Sequence, residues 1–409
     1  MISILTQPSI LISLLALIVA IVAAVLAYPP FRSARHQKKM ARFREIRNHL
    51  VANRASLALS AAELYRRSEF ISGSNCLTRD EWVLGHPVSL DSVLVSYSPE
   101  PRHVVISGES QCIRRLLPVS RRKAGLRTYS DFVGADASIR PGLFWNGPSY
   151  DLRSLRRTGS KVTIELGPTH YFDTFDVCEA LAHEFAAGRQ RERASLRKRV
   201  GDPTDLSARI AVPALAWLMV IRENDGCMSF LLHARDGNAV ASDGQLMQVF
   251  GGQLQPSSRH ALDARSEATL WKSFVREFAE ELLGFAEASG EGGGAISYST
   301  PPFTQLAELR DSGRLRVALL GLGIDPLSAW PTLLCISIID RRAFGEILPD
   351  IVRKNDEGII VGSRREGERL FGFAFEEDVI GSLCQDVAVG AVTVACLRLA
   401  WQHRDWLNE

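Results

Sequence analysis

Charged side chains are absent from the first 31 residues of the chain, and no lysine or arginine precedes its long apolar run from Ile10 to Tyr28. Nineteen helical residues span roughly 28 Å, about the thickness of a bilayer's hydrocarbon core. Val25-Leu26-Ala27 resembles a signal-peptidase site, but a cleaved signal peptide usually begins with basic residues, which this chain lacks. We therefore predict one transmembrane helix over residues 9–28.

Paired cysteine motifs are also missing. None of the seven cysteines forms a CxxC pair, and no zinc-type spacing is present. Several cysteines lie in apolar runs, such as Leu334-Cys335-Ile336. These features exclude a disulfide scaffold and a structural zinc site, and they indicate buried, reduced thiols.

The basic residues of the chain concentrate just after the apolar run. Residues 32–67 contain ten Lys/Arg and two Glu, a net charge of +8, which leaves −6 for residues 68–409. Such a cluster places the following domains on the cytoplasmic side of a cell membrane. Because the basic character is local, it does not indicate nucleic-acid binding.

Residues 32–70 are predicted to form a basic juxtamembrane helix, because helix formers dominate and the basic stretch has no Gly or Pro. Two interpretations stay open, and they are compatible. The helix packs on the next domain, or its basic face contacts anionic membrane lipid.

Short alternating segments predict a small α+β domain over residues 76–187. Val88–Ser96 and Lys161–Leu166 alternate as strands do, and Asp176–Ala187 has helical apolar spacing. His183-Glu184 lies in this helix without the second His of a zinc-protease motif, so we interpret the pair as structural. Residues 188–206 are predicted to be a solvated basic linker.

The segment that contains the candidate functional residues begins with two predicted strands, Ala211–Ile221 and Met228–His233. Gly251-Gly252 follows, and a helix is predicted over Glu267–Leu283. On that helix Glu277, Glu280 and Glu281 stand at i, i+3 and i+4, so their carboxylates share one face.

Three clustered carboxylates repel one another unless a positive charge offsets them. Arg276 is one candidate for that charge, and a divalent metal is the other. Ligands that are all carboxylate oxygens suit Mg²⁺ or Mn²⁺.

The run Arg276-Glu277-Phe278-Ala279-Glu280-Glu281 resembles the core of the Nudix box. The resemblance implies an α/β/α sandwich around a mixed sheet over residues 208–405. It also implies that Glu277, Glu280 and Glu281 bind the metal, that Glu280 and Glu281 are catalytic, and that Gly251, Gly252 and Arg276 help to bind the cofactor. The activity it implies is hydrolysis of a nucleoside diphosphate linked to another group.

The chain departs from the family motif in its spacing. Gly252 and Arg276 are farther apart than in the family. The position of the upstream glutamate falls on Ser257 or Ser258 when counted forward. Counted back from Arg276 it falls on Ala268, with Glu267 one place away, and one extra residue precedes Gly284.

Further strands over Arg316–Ile324 and Pro331–Asp340 and a closing helix over Ala391–Leu407 complete the predicted domain. Glu357, in a predicted turn, is a candidate general base, although a plain turn is the alternative. The first functional hypothesis is a membrane-anchored, Mg²⁺-dependent Nudix-type hydrolase. The alternative is a catalytically inactive Nudix-like sensor of a nucleotide such as ADP-ribose. The sequence does not indicate the oligomeric state.

Overall fold

The computed structural model describes residues 37–65, 69–118, 125–135, 144–193, 195–235, 247–257, 265–285, 296–347, 358–361 and 372–409. Within these ranges no helix is long and apolar enough to cross a membrane. The predicted span, residues 9–28, lies outside them, as does Glu357.

Groups of helices and groups of strands follow one another along the chain. The helices are α1 (residues 37–52), α2 (Arg54–Ala62), α3 (Gln111–Arg114), α4 (Tyr129–Gly134), α5 (Tyr171–Ala186), α6 (Leu196–Val200), α7 (Leu270–Leu283), α8 (Phe303–Asp311), α9 (Arg341–Ile347), α10 (Glu377–Gln385), α11 (Ala391–Gln402) and α12 (Arg404–Asn408). The strands are β1 (Glu69–Phe70), β2 (Leu77–Thr78), β3 (Val83–Ser89), β4 (Val93–Tyr97), β5 (Pro148–Thr158), β6 (Lys161–His170), β7 (Ala214–Arg222), β8 (Met228–Arg235), β9 (Met247–Gln248), β10 (Phe250–Gln253), β11 (Leu315–Ile324), β12 (Pro331–Asp340), β13 (Gly358–Val361) and β14 (Phe373–Ala374).

The described strands form two sheets, of which the larger is mixed. Its main path runs β1-β2-β11-β12-β7-β8-β13, and β3, β9, β10 and β14 pair beside that path. Strands β12 and β7 are parallel, whereas β11 with β12, β7 with β8, and β10 with β7 are antiparallel. The predicted strand over Pro331–Asp340 is confirmed to the residue, and the strand predicted over Arg316–Ile324 begins one residue earlier.

Helices cover both faces of this sheet. The side chains of β7 accordingly alternate between two buried layers, one on each face. Trp217 and Met219 face the layer that contains α7, α8 and α9. Leu218 and Val220 face the layer that contains α10 and α11. Both faces of a central strand are therefore apolar, which explains why β7 reads as a continuous hydrophobic run.

The smaller sheet has the order β4-β6-β5, with β4 parallel and β5 antiparallel to β6. Its inner side chains, such as Leu152 and Ile164, belong to the same buried cluster as Phe274 of α7. The two sheets therefore share one hydrophobic core.

The alternation over Val88–Ser96 does not form one strand. β3 ends at Ser89, a 3₁₀ turn occupies Leu90–Ser92, and β4 begins at Val93. β3 pairs with β11 in the larger sheet, while β4 pairs with β6 in the smaller one. Residues 76–187, predicted as a separate small domain, thus supply strands to both sheets.

Helices α1 and α2 pack on α5. Phe43 and Leu50 are buried, and the Phe43 ring stacks on the imidazole of His183 with centroids 4.8 Å apart. Arg54 pairs with the fully buried carboxylate of Glu179, and Arg47 lies 4.0 Å from the same group. The packing interpretation of the juxtamembrane helix is confirmed for these residues. Lys38, Lys39, Arg42 and Arg44 of α1 are exposed.

The segment 188–206 is not a solvated linker throughout. Lys198 and Arg199 are exposed, but Arg197 is buried and donates to the main-chain oxygens of Pro326 and Leu327. The structure therefore corrects the prediction. A guanidinium with five donors satisfies several buried carbonyls and attaches this segment to the turn between β11 and β12.

Candidate functional site

Helix α7 has clear signals at both ends. The Thr269 hydroxyl accepts a hydrogen bond from the Lys272 amide at 3.2 Å, which caps the first turn. Gly284 follows the last turn in the left-handed conformation, with φ of 68°. Between these ends Phe274 and Phe278 are buried, and the Phe274 ring meets Trp217 of β7 edge-on at 5.1 Å. This packing holds the helix against the sheet.

Strand β10 places the two predicted glycines between β7 and α7. A Cβ atom on Gly251 would overlap the carbonyl oxygen of Leu215, and φ at Gly251 is 151°. A Cβ atom on Gly252 would overlap the carboxylate of Glu277. At Gly251 the overlap is with backbone, so only glycine admits the approach. At Gly252 the overlap is with the end of the Glu277 side chain, which would have to move to make room for a methyl group.

Arg276 is buried between two of the three carboxylates. Its side chain is 3% exposed, with Nη2 at 3.3 Å from Oε1 of Glu277 and Nε at 4.0 Å from Oε1 of Glu280. The guanidinium also donates to the main-chain oxygen of Gln255 at 2.9 Å and contacts that of Gln253 at 3.5 Å. Arg276 therefore neutralises the helix face and attaches it to the chain that leaves β10.

The pKa of Arg276 reflects this balance. Burial acts to lower it, but the charges of Glu277 and Glu280 outweigh burial and hold it above its ordinary value. The guanidinium is charged at any physiological pH. Of the two sources of positive charge that the sequence left open, the structure shows Arg276 in position for Glu277 and Glu280.

Glu281 has a partner that the sequence analysis did not identify. Its Oε2 atom lies 3.0 Å from Nδ1 of His233, and the two side chains are 5% and 1% exposed. The ring is not aligned for a directed hydrogen bond, and neither of its nitrogens has one among the described residues. Strand alternation in the sequence could have identified His233 as this partner. His233 is two positions after Leu231, so it lies on the same face of β8, which α7 covers.

Glu267, one place from the position of the motif's upstream glutamate, has partners other than the three carboxylates of α7 among the described residues. Glu267 lies before α7, where its carboxylate accepts hydrogen bonds from Ser257 at 2.7 Å, Tyr298 at 3.0 Å and Lys272 at 3.1 Å. Burial acts to raise the pKa of Glu267, but the hydrogen bonds from Ser257 and Lys272 outweigh it and lower the pKa. Glu267 and Ser257, two candidates for the position of the motif's upstream glutamate, thus hydrogen-bond to each other. Ala268, the third candidate position, is buried.

The predicted Mg²⁺ or Mn²⁺ site can be tested against these contacts. Carboxylate oxygens have the right chemistry. However, Arg276 approaches Glu277 and Glu280, His233 approaches Glu281, and only Glu280 exceeds a tenth in side-chain exposure, at 16%. Across the described ranges no three His, Cys, Asp or Glu side chains are grouped to hold a metal. In this arrangement the residues do not fit the metal, and the cofactor stays a prediction.

Both residues of the His183-Glu184 pair contact other groups of the protein. Nδ1 of His183 lies 3.3 Å from the Tyr129 hydroxyl, and Glu184 accepts from the amides of Leu196 and Arg197 at the start of α6. Burial, followed by the charges of Arg47 and Arg189, lowers the pKa of His183 to about 3. These contacts agree with the structural interpretation of the pair.

The chain matches no family model, and no curated protein matches its sequence.

Proposed function

We propose that residues 208–405 form a Nudix-like domain that binds a nucleotide-type ligand as a sensor, without using α7 as a metal-dependent catalytic helix. The ligand class comes from the resemblance of residues 276–281 to the Nudix core. The observation that carries the non-catalytic part is the contact of Arg276 and His233 with the three carboxylates.

Electrostatics supports this choice. Carboxylates at i, i+3 and i+4 require a compensating positive charge, and a divalent metal is one source of it. Here Arg276 lies inside the acidic face, with both its own side chain and that of Glu277 under a tenth exposed. A buried charge that already has a hydrogen-bonded partner of opposite sign gains less from a further cation.

A Nudix-type hydrolase is the second candidate, and one observation favours it. Glu280 is the most exposed of the three carboxylates and lies 4.0 Å from Arg276, beyond hydrogen-bonding distance. A modest rearrangement of this side chain would suffice for it to meet a solvated cation. The departures in spacing at both ends of the motif favour the sensor.

The test is a panel of nucleotide sugars, dinucleotides and ADP-ribose, added to the purified chain with and without Mg²⁺. For a sensor, one class raises the melting temperature without turnover, and the rise persists in EDTA. Ligand at 100 times its dissociation constant adds about 2.7 kcal/mol to the free energy of unfolding. Glu280→Gln leaves that shift unchanged.

Turnover by the wild type that needs Mg²⁺ and falls at least about 100-fold in Glu280→Gln would contradict the sensor and establish the hydrolase. If no nucleotide class shifts the melting temperature or is turned over, the Nudix-like function is wrong in both forms.

We further propose that the domain is held at the cytoplasmic face of a membrane by residues 9–28, with the exposed basic residues of α1 on anionic lipid. The support is the exposure of Lys38, Lys39, Arg42 and Arg44 along α1. A chain starting at residue 32 is expected to bind phosphatidylserine vesicles, at about 1 kcal/mol per basic residue near the surface. The binding should disappear at high ionic strength. Binding that is indifferent to salt and lipid charge would leave α1 with the packing role alone.

A further inference from the structure

A groove of about 450 Å³ lies where the corner between β3 and β4 meets the turn between β5 and β6. Its walls come from residues 86–89 of β3, from Ser92 and Leu94, and from Ser160 and Lys161 at the turn. None of these residues lies within residues 208–405, so the groove is separate from the acidic face of α7. Its volume is within the range of small-molecule sites, roughly 300–1,000 Å³.

The ionisable side chains that line this groove are basic. Lys161 and His86 are the two ionisable residues of its lining, and both are exposed. Arg157 adds a charge beside them, because its Nη1 atom is 3.4 Å from the place that a Cβ atom on Gly85 would take. Neither Lys161 nor Arg157 has a carboxylate partner in the part of the chain that the structure describes. The groove therefore keeps a net positive charge.

Two acidic residues close to the groove in the chain or in the sheet have other partners. Asp91, which precedes Ser92, is paired with Arg310 at 3.2 Å and is not part of the lining. Glu165 of β6 accepts a hydrogen bond from the Ser154 hydroxyl at 3.2 Å, and it is also outside the lining. A negatively charged ligand in the groove would therefore not lie against a carboxylate of its walls.

Three serine hydroxyls of the lining are available as hydrogen-bond donors. Ser89, Ser92 and Ser160 are exposed, and none of their side chains has a hydrogen-bond partner among the described residues. They lie at the end of β3, on the 3₁₀ turn and on the β5–β6 turn, so they reach the groove from three separate elements. Hydroxyls and an ammonium that meet around one groove suit an anion with several acceptor oxygens.

We propose that this groove binds the phosphate group of a soluble phosphomonoester. The Lys161 ammonium pairs with the phosphate, and the hydroxyls of Ser92 and Ser160 donate to its oxygens. Leu94, with 53% of its surface exposed, packs against the organic part of the ligand. A phosphomonoester is favoured over a carboxylate, because its charge of about −2 and its three oxygens match the charges of Lys161 and Arg157 and the separate donors. This site is independent of the nucleotide-type ligand proposed for residues 208–405.

The experiment titrates inorganic phosphate and glycerol 3-phosphate with the full chain in a phosphate-free detergent, and measures binding from the broadening of their phosphorus NMR signals. Lys161→Gln is expected to raise both dissociation constants at least about tenfold, because it removes a charge-assisted hydrogen bond. Ser92→Asp should abolish binding, because it places a carboxylate in the groove. The matched control is Lys39→Gln, which removes the same charge from an exposed position of α1 and should leave binding unchanged. All three variants should keep the melting temperature of the wild type.

A lipid headgroup with a terminal phosphate shares this chemistry, so short-chain phosphatidic acid in the same detergent is the second arm. Binding of phosphatidic acid alone would overturn the soluble ligand and assign the groove to a headgroup. Equal weakening by Lys161→Gln and Lys39→Gln would overturn the site itself, because the attraction would then be unspecific. The absence of broadening with every probe at millimolar concentration would do the same. If Ser92→Asp lowers the melting temperature, the pair Lys161→Gln and Lys39→Gln decides the question.

Discussion

The carboxylate of Glu277 lies against the backbone of Gly252, in the space that a side chain at position 252 would fill. One residue belongs to the acidic helix and the other to the strand beside it. A methyl group at position 252 would therefore compete for space with the Glu277 carboxylate and disturb its contact with Arg276.

Gly252→Ala is expected to lower the free energy of unfolding by about 1–3 kcal/mol, because the new methyl group displaces the Glu277 carboxylate from Arg276. Chemical denaturation measures this loss. Glu277→Asp, which withdraws the carboxylate by one methylene, should partly rescue the variant, with a coupling above about 0.5 kcal/mol. Gly381→Ala in α10 is the control, since open space surrounds that position. Additive effects of the two site changes would show that the residues do not compete for space.

Arg276→Met should destabilise the protein by about 3–5 kcal/mol, because it removes the cation from buried carboxylates. Arg276→Lys should recover only part of the loss, since a single ammonium cannot reach Glu277 and the Gln255 carbonyl as a guanidinium fork does. We also expect Mg²⁺ to raise the melting temperature of Arg276→Met more than that of the wild type. An equal rise in both proteins would show that a metal site exists beside Arg276.

The ion pair between Arg54 of α2 and Glu179 of α5 predicts a local effect on the amino-terminal helices. Glu179→Gln removes the buried charge that Arg54 and Arg47 contact, which should cost about 3–5 kcal/mol. Hydrogen exchange should accelerate in α1 and α2 before it does in β7 or β12. The matched control is Glu109→Gln, whose partner Arg114 is 48% exposed and whose loss should cost at most about 1 kcal/mol. Uniform acceleration across the chain would mean that Glu179 supports the whole core.

His183 predicts the pH dependence of stability. Its pKa is lowered from 6.5 to about 3, so between these values only the unfolded chain binds the proton. The stability that it contributes is complete above pH 6.5 and is lost as the pH falls toward about 3, at up to about 1.4 kcal/mol per pH unit. His183→Phe should remove that slope in denaturation curves at successive pH values.

The titration of Asp176 changes the stability with pH in the opposite direction to that of His183, because burial raises the pKa of Asp176 to about 6. Since it is present in both proteins, the difference between wild type and His183→Phe isolates the histidine. Parallel stability curves for the two proteins between pH 6.5 and 4 would contradict the assignment.

Local sequence patterns were enough to locate most of the elements around the site. The strands β8 and β12 and the helix α7 follow from apolar runs, from turn residues such as Gly226, and from the i, i+3, i+4 spacing of Glu277, Glu280 and Glu281. These signals depend on residues a few positions apart. Hydrophobic periodicity therefore predicted the strand–turn–helix segment and the shared face of its carboxylates.

The break between β3 and β4 escaped the same reasoning. Val88–Ser96 alternates as one strand, yet its halves pair with β11 and β6 in different sheets. Strand partners lie far away in the chain, and alternation carries no information about which sheet each half joins. The burial of Arg197 was missed for a related reason, because the carbonyls that it binds, on Pro326 and Leu327, are about 130 positions away.

The chain's own pattern of charge and hydrophobicity determined that an acidic helix face would follow two apolar strands and a pair of glycines. Tertiary structure alone decided which positive groups meet that face. Helical spacing fixes where Glu277, Glu280 and Glu281 stand relative to one another, because it is a property of the local backbone. The approach of His233 to Glu281, and of Arg276 to the chain leaving β10, depends on how α7 packs on the sheet, and long-range burial of Phe274 and Phe278 sets that packing.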